Sequence, residues 1–429
     1  MKRASPPSAL AALETTLFIA MRQLWERKLL NGIAVGGVTL GVLVLIAMNG
    51  IMLGFQEKFT DAILKISPHV TLLDTELRPK AAMLERYFGG RTVASVAHES
   101  PSERQKQIKR PYEIVRALRE VRDVVAAAPQ LSGTALVEFG GKAKSVDLRG
   151  IEVNPQDRVT PIHQYMKAGR LRDLDVTSDA IILGSGIAQD LGLQVGDTVH
   201  AAAPGGKPTS LKVVAIFEAE VPPVDKTRGY TTLRTAQALL GRPDAISRIE
   251  IRLVDPDAAI RVNERLERTF GYDGESWQES NANFLAIFAM QNLVVRFVIG
   301  AILLVGGFGI LAIQIMIVLQ KQRDIAILRS VGLRRKDILL IFFVQGVVIA
   351  IAGGVAGDVL GKISIHYLRM LPLKAEGLVK SDTFLVHENP TFYVYGILFA
   401  LLVGIVASFI PAFRGSRVEP VEVLRGQIG

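Results

Sequence analysis

Four uncharged apolar stretches, a basic excess confined to the segments beside them, and one long intervening segment of zero net charge predict the fold class. It is a polytopic α-helical membrane protein with four transmembrane helices. A large mixed α+β extracytoplasmic (periplasmic) domain is expected between the first and second helices. Only 21% of the 429 residues are charged, below the roughly 25% of an average soluble domain. Runs this long without a charge exclude a wholly soluble protein.

A bilayer core about 30 Å thick is crossed by about 20 apolar helical residues. Residues 29–56 carry no charge, with an apolar centre at 33–53; the other uncharged runs are 297–319, 338–357 and 390–413. The expected spans are therefore 32–54, 285–320, 337–361 and 391–413. The first is not read as a cleavable signal peptide, because its charged preamble is long and no small-x-small site follows it.

Orientation follows from the basic residues. Segments 1–28, 320–337 and 414–429 together hold fourteen Lys/Arg against six Asp/Glu, which accounts for nearly all of the net charge of +9. Segment 54–285, by contrast, holds 31 of each sign. Both termini (1–31 and 414–429) and the connection 321–336 are thus expected on the cytoplasmic side, with 55–284 and the loop 362–390 outside. The basic excess reads as a topology signal, and nucleic-acid binding is not expected.

In chain order, Leu10, Leu13, Leu17, Met21 and Leu24 recur at helical steps, predicting an amphipathic elbow helix on the inner leaflet with Trp25 as an interfacial anchor. A plain helical extension of the first span is the alternative. The outer segment predicts a strand at 69–74, a polar loop at 91–110 and a helix at 111–122 opened by Pro111. Strands follow at 134–139, 145–151, 180–183, 198–202, 211–217 and 248–253, with helical pieces at 186–191, 235–240 and 258–270. Strands mixed with short helices make an α+β domain.

Catalytic chemistry is missing. The sequence has no cysteine, so disulfides, thiolate metal sites and Cys nucleophiles are excluded. Gly361-Lys362-Ile363 and Gly205-Gly206-Lys207-Pro208 lack the spacing and hydroxyl of a phosphate-binding loop. None of the six His pairs at i+4. No metal or cofactor bound by this chain is expected, and the chain is not expected to be an enzyme by itself.

The connection 320–337 is far longer than a simple reversal needs. It combines apolar Ile325, Ile327, Leu328 and Val331 with charges and the breaker Gly332, predicting a short helix that docks into a partner's groove. A helix lying on anionic lipid is the alternative.

Arg323-Asp324-Ile-Ala-Ile-Leu-Arg-Ser-Val-Gly332, then Lys336-Asp337-Ile338 and Phe343-Val-Gln345-Gly346, resembles the permeases of the MacB/FtsX superfamily of ABC transporters, and within it the lipoprotein-releasing (Lol) branch. Met48-Asn49-Gly50, Phe55-Gln-Glu-Lys58 and Pro68-His69-Val70 resemble that family's exit from the first span. Leu191-Gly-Leu-Gln-Val-Gly-Asp197 resembles its ectodomain core, and Trp277 with Asn281 its re-entry. The likeness runs in order over nearly the whole chain.

The resemblance implies a dimer formed with a second permease copy or paralogue in the bacterial inner membrane, each half bound by a cytoplasmic ATPase subunit that supplies ATP and Mg. It further implies that the ATPase grips 321–336 as a coupling helix, through Arg323, Asp324, Ile327, Leu328, Arg329, Ser330, Gly332 and Leu333. ATP-driven closure would pass to the outer domain by mechanotransmission. In the Lol branch the substrate is a lipoprotein taken from the outer leaflet and handed to a periplasmic carrier. A MacB-like permease would instead serve a tripartite efflux duct with a fusion protein, and an FtsX-like one would relay a signal to a cell-wall hydrolase.

Lateral entry of an acyl chain needs an apolar surface between the first two spans, for which the candidates are Ile46, Met48, Met52, Phe55, Phe284, Phe288, Met290 and Leu293. Gly32/Gly36, Gly37/Gly41, Gly50/Gly54 and Gly353/Gly357/Gly361 allow close helix approach, within one chain or between two. Three departures from the family stand out. The loop 202–211 is short for a carrier-recruiting arm, 91–110 is long, and Asp324 replaces a more usual Glu.

Overall fold

The computed structural model describes residues 9–74, 107–376 and 380–418. Most of the 91–110 loop and the tail beyond Val418 lie outside these, as do the side chains of Leu10 and Leu13. The chain begins with α1 (Ala9–Glu26) and α2 (Lys28–Ile66), then β1 (Val70–Leu73), α3 (Pro111–Leu118), β2 (Val124–Phe139), β3 (Lys142–Ile151) and α4 (Val153–Val159). Next come β4 (Met166–Gly169), α5 (Asp173–Val176), β5 (Ala180–Gly184), α6 (Ser185–Leu191), β6 (Thr198–Ala202), β7 (Thr209–Phe217) and α7 (Pro222–Asp225). They are followed by β8 (Arg228–Thr232), α8 (Leu233–Leu239), β9 (Arg248–Leu253), α9 (Ala259–Phe270), β10 (Asp273–Ser276) and α10 (Trp277–Ser280). The chain closes with α11 (Ala282–Gln320), α12 (Gln322–Ser330), α13 (Arg335–Met370), β11 (Pro372–Glu376), β12 (Lys380–Thr383) and α14 (Pro390–Ser416).

Two compact units result. One comprises residues up to 56, 287–373 and 383 onward; the other comprises 57–286 and 374–382.

In the first unit, α2, α11, α13 and α14 are each long and apolar enough to cross a membrane. They are helices because hydrocarbon offers no partner to a backbone amide, which must therefore be bonded within its own segment. Gly353, Gly357 and Gly361 lie one turn apart on α13, and a Cβ on each would come within 2.9 Å of Val38, Val42 or Ile46 on α2. Two backbones approach along this stripe, and the ridge Val38–Val42–Ile46 fills the groove. Thr39 Oγ1 crosses the same contact, donating to Val35 O at 2.8 Å and reaching Gly353 O at 3.2 Å. Gly37 faces Gly306 of α11, whereas Gly32 and Gly36 have nothing within 4 Å. Helix α13 runs on to Met370, into the segment expected as loop. Ile363, Ile365 and Leu368 carry apolar side chains past Gly361, and the helix continues over them. Helices α1 and α2 are separate, broken at Arg27.

The second unit is built on a sheet in the order β10-β1-β9-β2-β3-β8-β5-β7-β4, with β6 paired to β2 and β7. Most pairs are antiparallel; β3 with β8 and β5 with β7 are parallel. Side chains alternate across a strand, so the fully buried β5 supplies two cores. Ile181 and Leu183 join Val146, Leu148, Val199 and Val213 in one, while Ala180 and Ile182 join Ile151, Phe217 and Tyr230 in the other. Strand β8 and most of β2 were not expected: Arg-Gly-Tyr-Thr-Thr and the Ala-Pro run 126–129 carry weak strand propensity, and their neighbours in the sheet decide their state.

His69 fastens β1 to this sheet. Its amide donates to Ile251 O at 2.9 Å, its carbonyl accepts from Trp277 N at 3.0 Å, and Nδ1 accepts from Leu253 N at 3.1 Å. Burial, aided by the Arg252 charge, pulls its pKa from 6.5 down to about 4, so the buried ring is neutral.

Two outcomes follow. Gly357→Ala drives a methyl group into Val42 and should destabilise the protein by about 1–3 kcal/mol, read as a lower thermal midpoint in detergent, while Gly32→Ala leaves the midpoint unchanged. Because unfolded His69 binds a proton that the native ring refuses, stability should fall as pH drops from 6.5 toward 4. From pH 7 to 5 the loss is about 2 kcal/mol more in the native protein than in His69→Gln; parallel losses would acquit His69.

Candidate docking and substrate-facing sites

The connection between α11 and α13 is a helix with defined ends. Helix α12 follows α11 across the single residue Lys321, whose amide still donates to Ile317 O at 3.0 Å. At the far end Gly332 sits at φ 115°, a conformation that a side chain disfavours. Gly332 N donates to Arg329 O at 3.2 Å and Leu333 N to Leu328 O at 3.1 Å. This pair of bonds, with Leu328 and Leu333 packed on the same apolar cluster, is a Schellman stop. Asp337 Oδ2 accepts from Arg334 N at 2.9 Å and starts α13.

Three contacts hold this helix and the residues just before it. Lys321 Nζ lies 2.8 Å from Glu26 Oε2 at the end of α1, and that ammonium holds the Glu26 carboxyl below its usual pKa. Arg27 donates to Gln320, and Arg329 donates to the carbonyl of Val418 just past α14.

The sequence reading treated Ile325, Ile327, Leu328 and Val331 as one docking side, and the structure corrects this. Ile325 and Ala326 are buried in the bundle with Ile338, Ile341 and Phe342, and Leu328 and Leu333 are half-buried beside them. The outward face instead carries Ile327, 51% exposed, and Val331, 78% exposed, with Arg323, Asp324 and Ser330 around them. Ser330 Oγ turns back to Ile327 O at 2.7 Å. Two apolar residues one turn apart, ringed by both signs of charge, form a small hydrophobic key with a polar rim.

The eight expected lining residues are not brought into one surface. Ile46 is fully buried against Gly361, because the glycine stripe draws α13 onto it, and it presents no surface. Phe55 and the buried Phe288 meet edge to face at 5.9 Å, one turn from a Gln56–Asn292 hydrogen bond of 3.1 Å that also links α2 to α11. Met48 and Met52 are half-buried. Met290 and Leu293 are exposed, at the head of an apolar stripe on α11 that continues through Val294, Phe297, Leu304 and Phe308. Phe284 belongs to the sheet unit, where it packs on Phe59 at 5.0 Å.

Gly50 and Gly54 serve a contact that the pattern did not reveal. His387 N donates to Gly50 O at 2.9 Å, and a Cβ on Gly54 would stand 2.6 Å from His387 N. These glycines admit the backbone of the segment 385–387, not another helix. Among the described residues no group of His, Asp and Glu could hold a metal ion.

Known proteins resemble the chain over the same parts. Residues 32–269 match the MacB-like periplasmic core domain, and residues 296–420 match the FtsX-like permease C-terminal domain. The lipoprotein-releasing system transmembrane protein LolC of Xylella fastidiosa is 28% identical over 91% of this chain and 92% of its own. LolE of Haemophilus influenzae is 26% identical over 90% and 92%. The macrolide export ATP-binding/permease protein MacB of Agrobacterium fabrum is 22% identical over 97% of this chain but 61% of its own.

Proposed function

Because the chain belongs to the MacB/FtsX-like family of ABC transporter permeases, we propose that it is the permease subunit of an ATP-driven machine that extracts a lipidated protein from the outer leaflet of the bacterial inner membrane. The observation that carries this reading is the likeness to lipoprotein-releasing proteins along nearly the whole chain, including both family domains. This sequence carries no phosphate-binding loop, and the reading assigns ATP and Mg to an ATPase partner. A second permease copy or paralogue completes the dimer. The basic excess in the N-terminal segment, the α11–α13 connection and the C-terminal tail argues that these lie in the cytoplasm, with the sheet unit in the periplasm.

In this reading α12 is the part that the ATPase grips. Ile327 and Val331 enter the ATPase groove, while Arg323 and Asp324 set orientation through rim charges. Force enters α12, passes across the Schellman turn into α13, and reaches α2 through the glycine stripe. Met290, Leu293 and the exposed stripe that continues from them on α11 meet acyl chains, with the half-buried Met48, Met52 and Phe55 as further candidates. MacB-like export is the second reading, favoured by the MacB likeness across 97% of this chain. The short loop at 202–211 tells against direct recruitment of a carrier by this chain.

Purification from the native membrane should bring down an ATPase and a lipoprotein; recovery of an outer-membrane duct and a fusion protein would favour export. Ile327→Glu with Val331→Glu should weaken ATPase binding by about 30-fold or more without lowering the thermal midpoint. Leu328→Glu, whose side chain packs on the bundle, should lower the midpoint. Unchanged ATPase binding in the double variant would remove α12 from the coupling role.

A further inference from the structure

The sheet unit contains a cavity of about 250 Å³ that the transport reading does not use. One wall is the polar face of the sheet. Arg248 and Glu250 share a face of β9, and Thr71 of β1 stands between Glu250 and Glu275 in register. Arg149 of β3 reaches across to Glu250, Nη1 to Oε1 at 3.0 Å, and Gln156 holds the other carboxylate oxygen at 2.6 Å. Glu250 is thereby satisfied.

Arg248 is not. Its Nε is buried with no hydrogen-bond partner among the described residues. Burial and the neighbouring Arg149 charge lower its pKa, countered only in part by Glu250, Asp147 and Glu275. A buried guanidinium N–H without an acceptor is costly, and an arriving anion that accepts from it relieves that cost. Arg228 adds a third cation, with Nη1 at 3.5 Å from Ile66 O at the end of α2.

The lining also holds apolar Phe59, Phe284 and Ile63, and Trp277 shows only its ring, since its N–H donates to Pro256 O at 2.9 Å. The cavity therefore combines cationic and apolar lining. Three arginines face two carboxylates in the lining, and Asp147 stands 3.3 Å from Arg149. With little positive charge in excess, the single negative charge of a phosphodiester is accommodated better than the charge of about −1.5 to −2 on a phosphate monoester. The volume accommodates a head group without its chains.

We propose that this cavity binds the phosphodiester head group of a glycerophospholipid, with the phosphate on Arg228 and Arg248 and the glycerol end against Phe59 and Phe284. This site does not depend on the transport reading. Of the two tryptophans in the sequence, Trp277 lines the cavity, so full-length protein carrying Trp25→Phe reports on it alone. Dihexanoyl phosphatidylglycerol, titrated below its micelle concentration in a neutral detergent, should change Trp277 emission saturably. Arg228→Gln with Arg248→Gln should weaken binding about tenfold or more. Glu275→Gln should tighten it severalfold, a gain that no folding defect produces. Inorganic phosphate and glycerol 3-phosphate at the same concentrations should do nothing. Absence of a saturable change, an equal response to inorganic phosphate, or unchanged affinity in both the arginine pair and Glu275→Gln overturns the assignment.

Discussion

Close packing of α2 on α13 is the contact from which the membrane unit takes its form. Between apolar helices in lipid there is no water to expel, so association rests on how nearly two backbones approach. Gly353, Gly357 and Gly361 remove the side chains that would keep α13 away, and Val38, Val42 and Ile46 occupy the space left. The consequences extend along both helices. Helix α13 begins just past the Schellman turn that ends α12, so a short hydrogen-bonded turn joins α12 to the helix that lies on α2. Near the other end of the same stretch of α2, Gly50 and Gly54 admit the segment 385–387, which binds that helix by a backbone hydrogen bond.

The same economy governs α12. Its inner residues, Ile325 and Ala326, belong to the bundle, and its outer pair, Ile327 and Val331, are left uncovered among the described residues. Lys321 on Glu26 and Arg329 on Val418 hold the helix from both sides, tying it to α1 and to the residue after α14. A short helix held at several points resists bending more than a loop would, because bending it requires breaking those contacts together.

How much of this was legible in sequence depends on the range of the interaction. The four spans were visible because a charge-free run is a local property. The α+β class was visible because strand alternation and helix caps are local too. Sheet order was not: β1 lies between β9 and β10, and β3 runs parallel to β8, pairings that join residues far apart in sequence. Strand β8 was missed because Gly229 and Thr231 say little about strand until β3 and β5 flank them. On α12, Arg323, Asp324 and Ile327 lie on the outward face, but which side of the helix faces the bundle is set by Ile338, Ile341 and Phe342 on another helix. Ile46 was placed on a substrate surface for the same reason: its burial depends on Gly361, over three hundred residues away. The arginine cavity left no sequence signal, since Arg149, Arg228 and Arg248 meet only through the sheet.

The account stands on sidedness, with α12 facing the ATP compartment and the sheet unit facing away from it. As the chain contains no cysteine, each introduced thiol reports alone. Ile327→Cys on α12 and Val176→Cys, at a residue 85% exposed in the sheet unit, would be labelled with a membrane-impermeant maleimide in intact spheroplasts and again after lysis. The account predicts labelling of Val176→Cys in both states and of Ile327→Cys only after lysis. Labelling of Ile327→Cys in intact spheroplasts would contradict it.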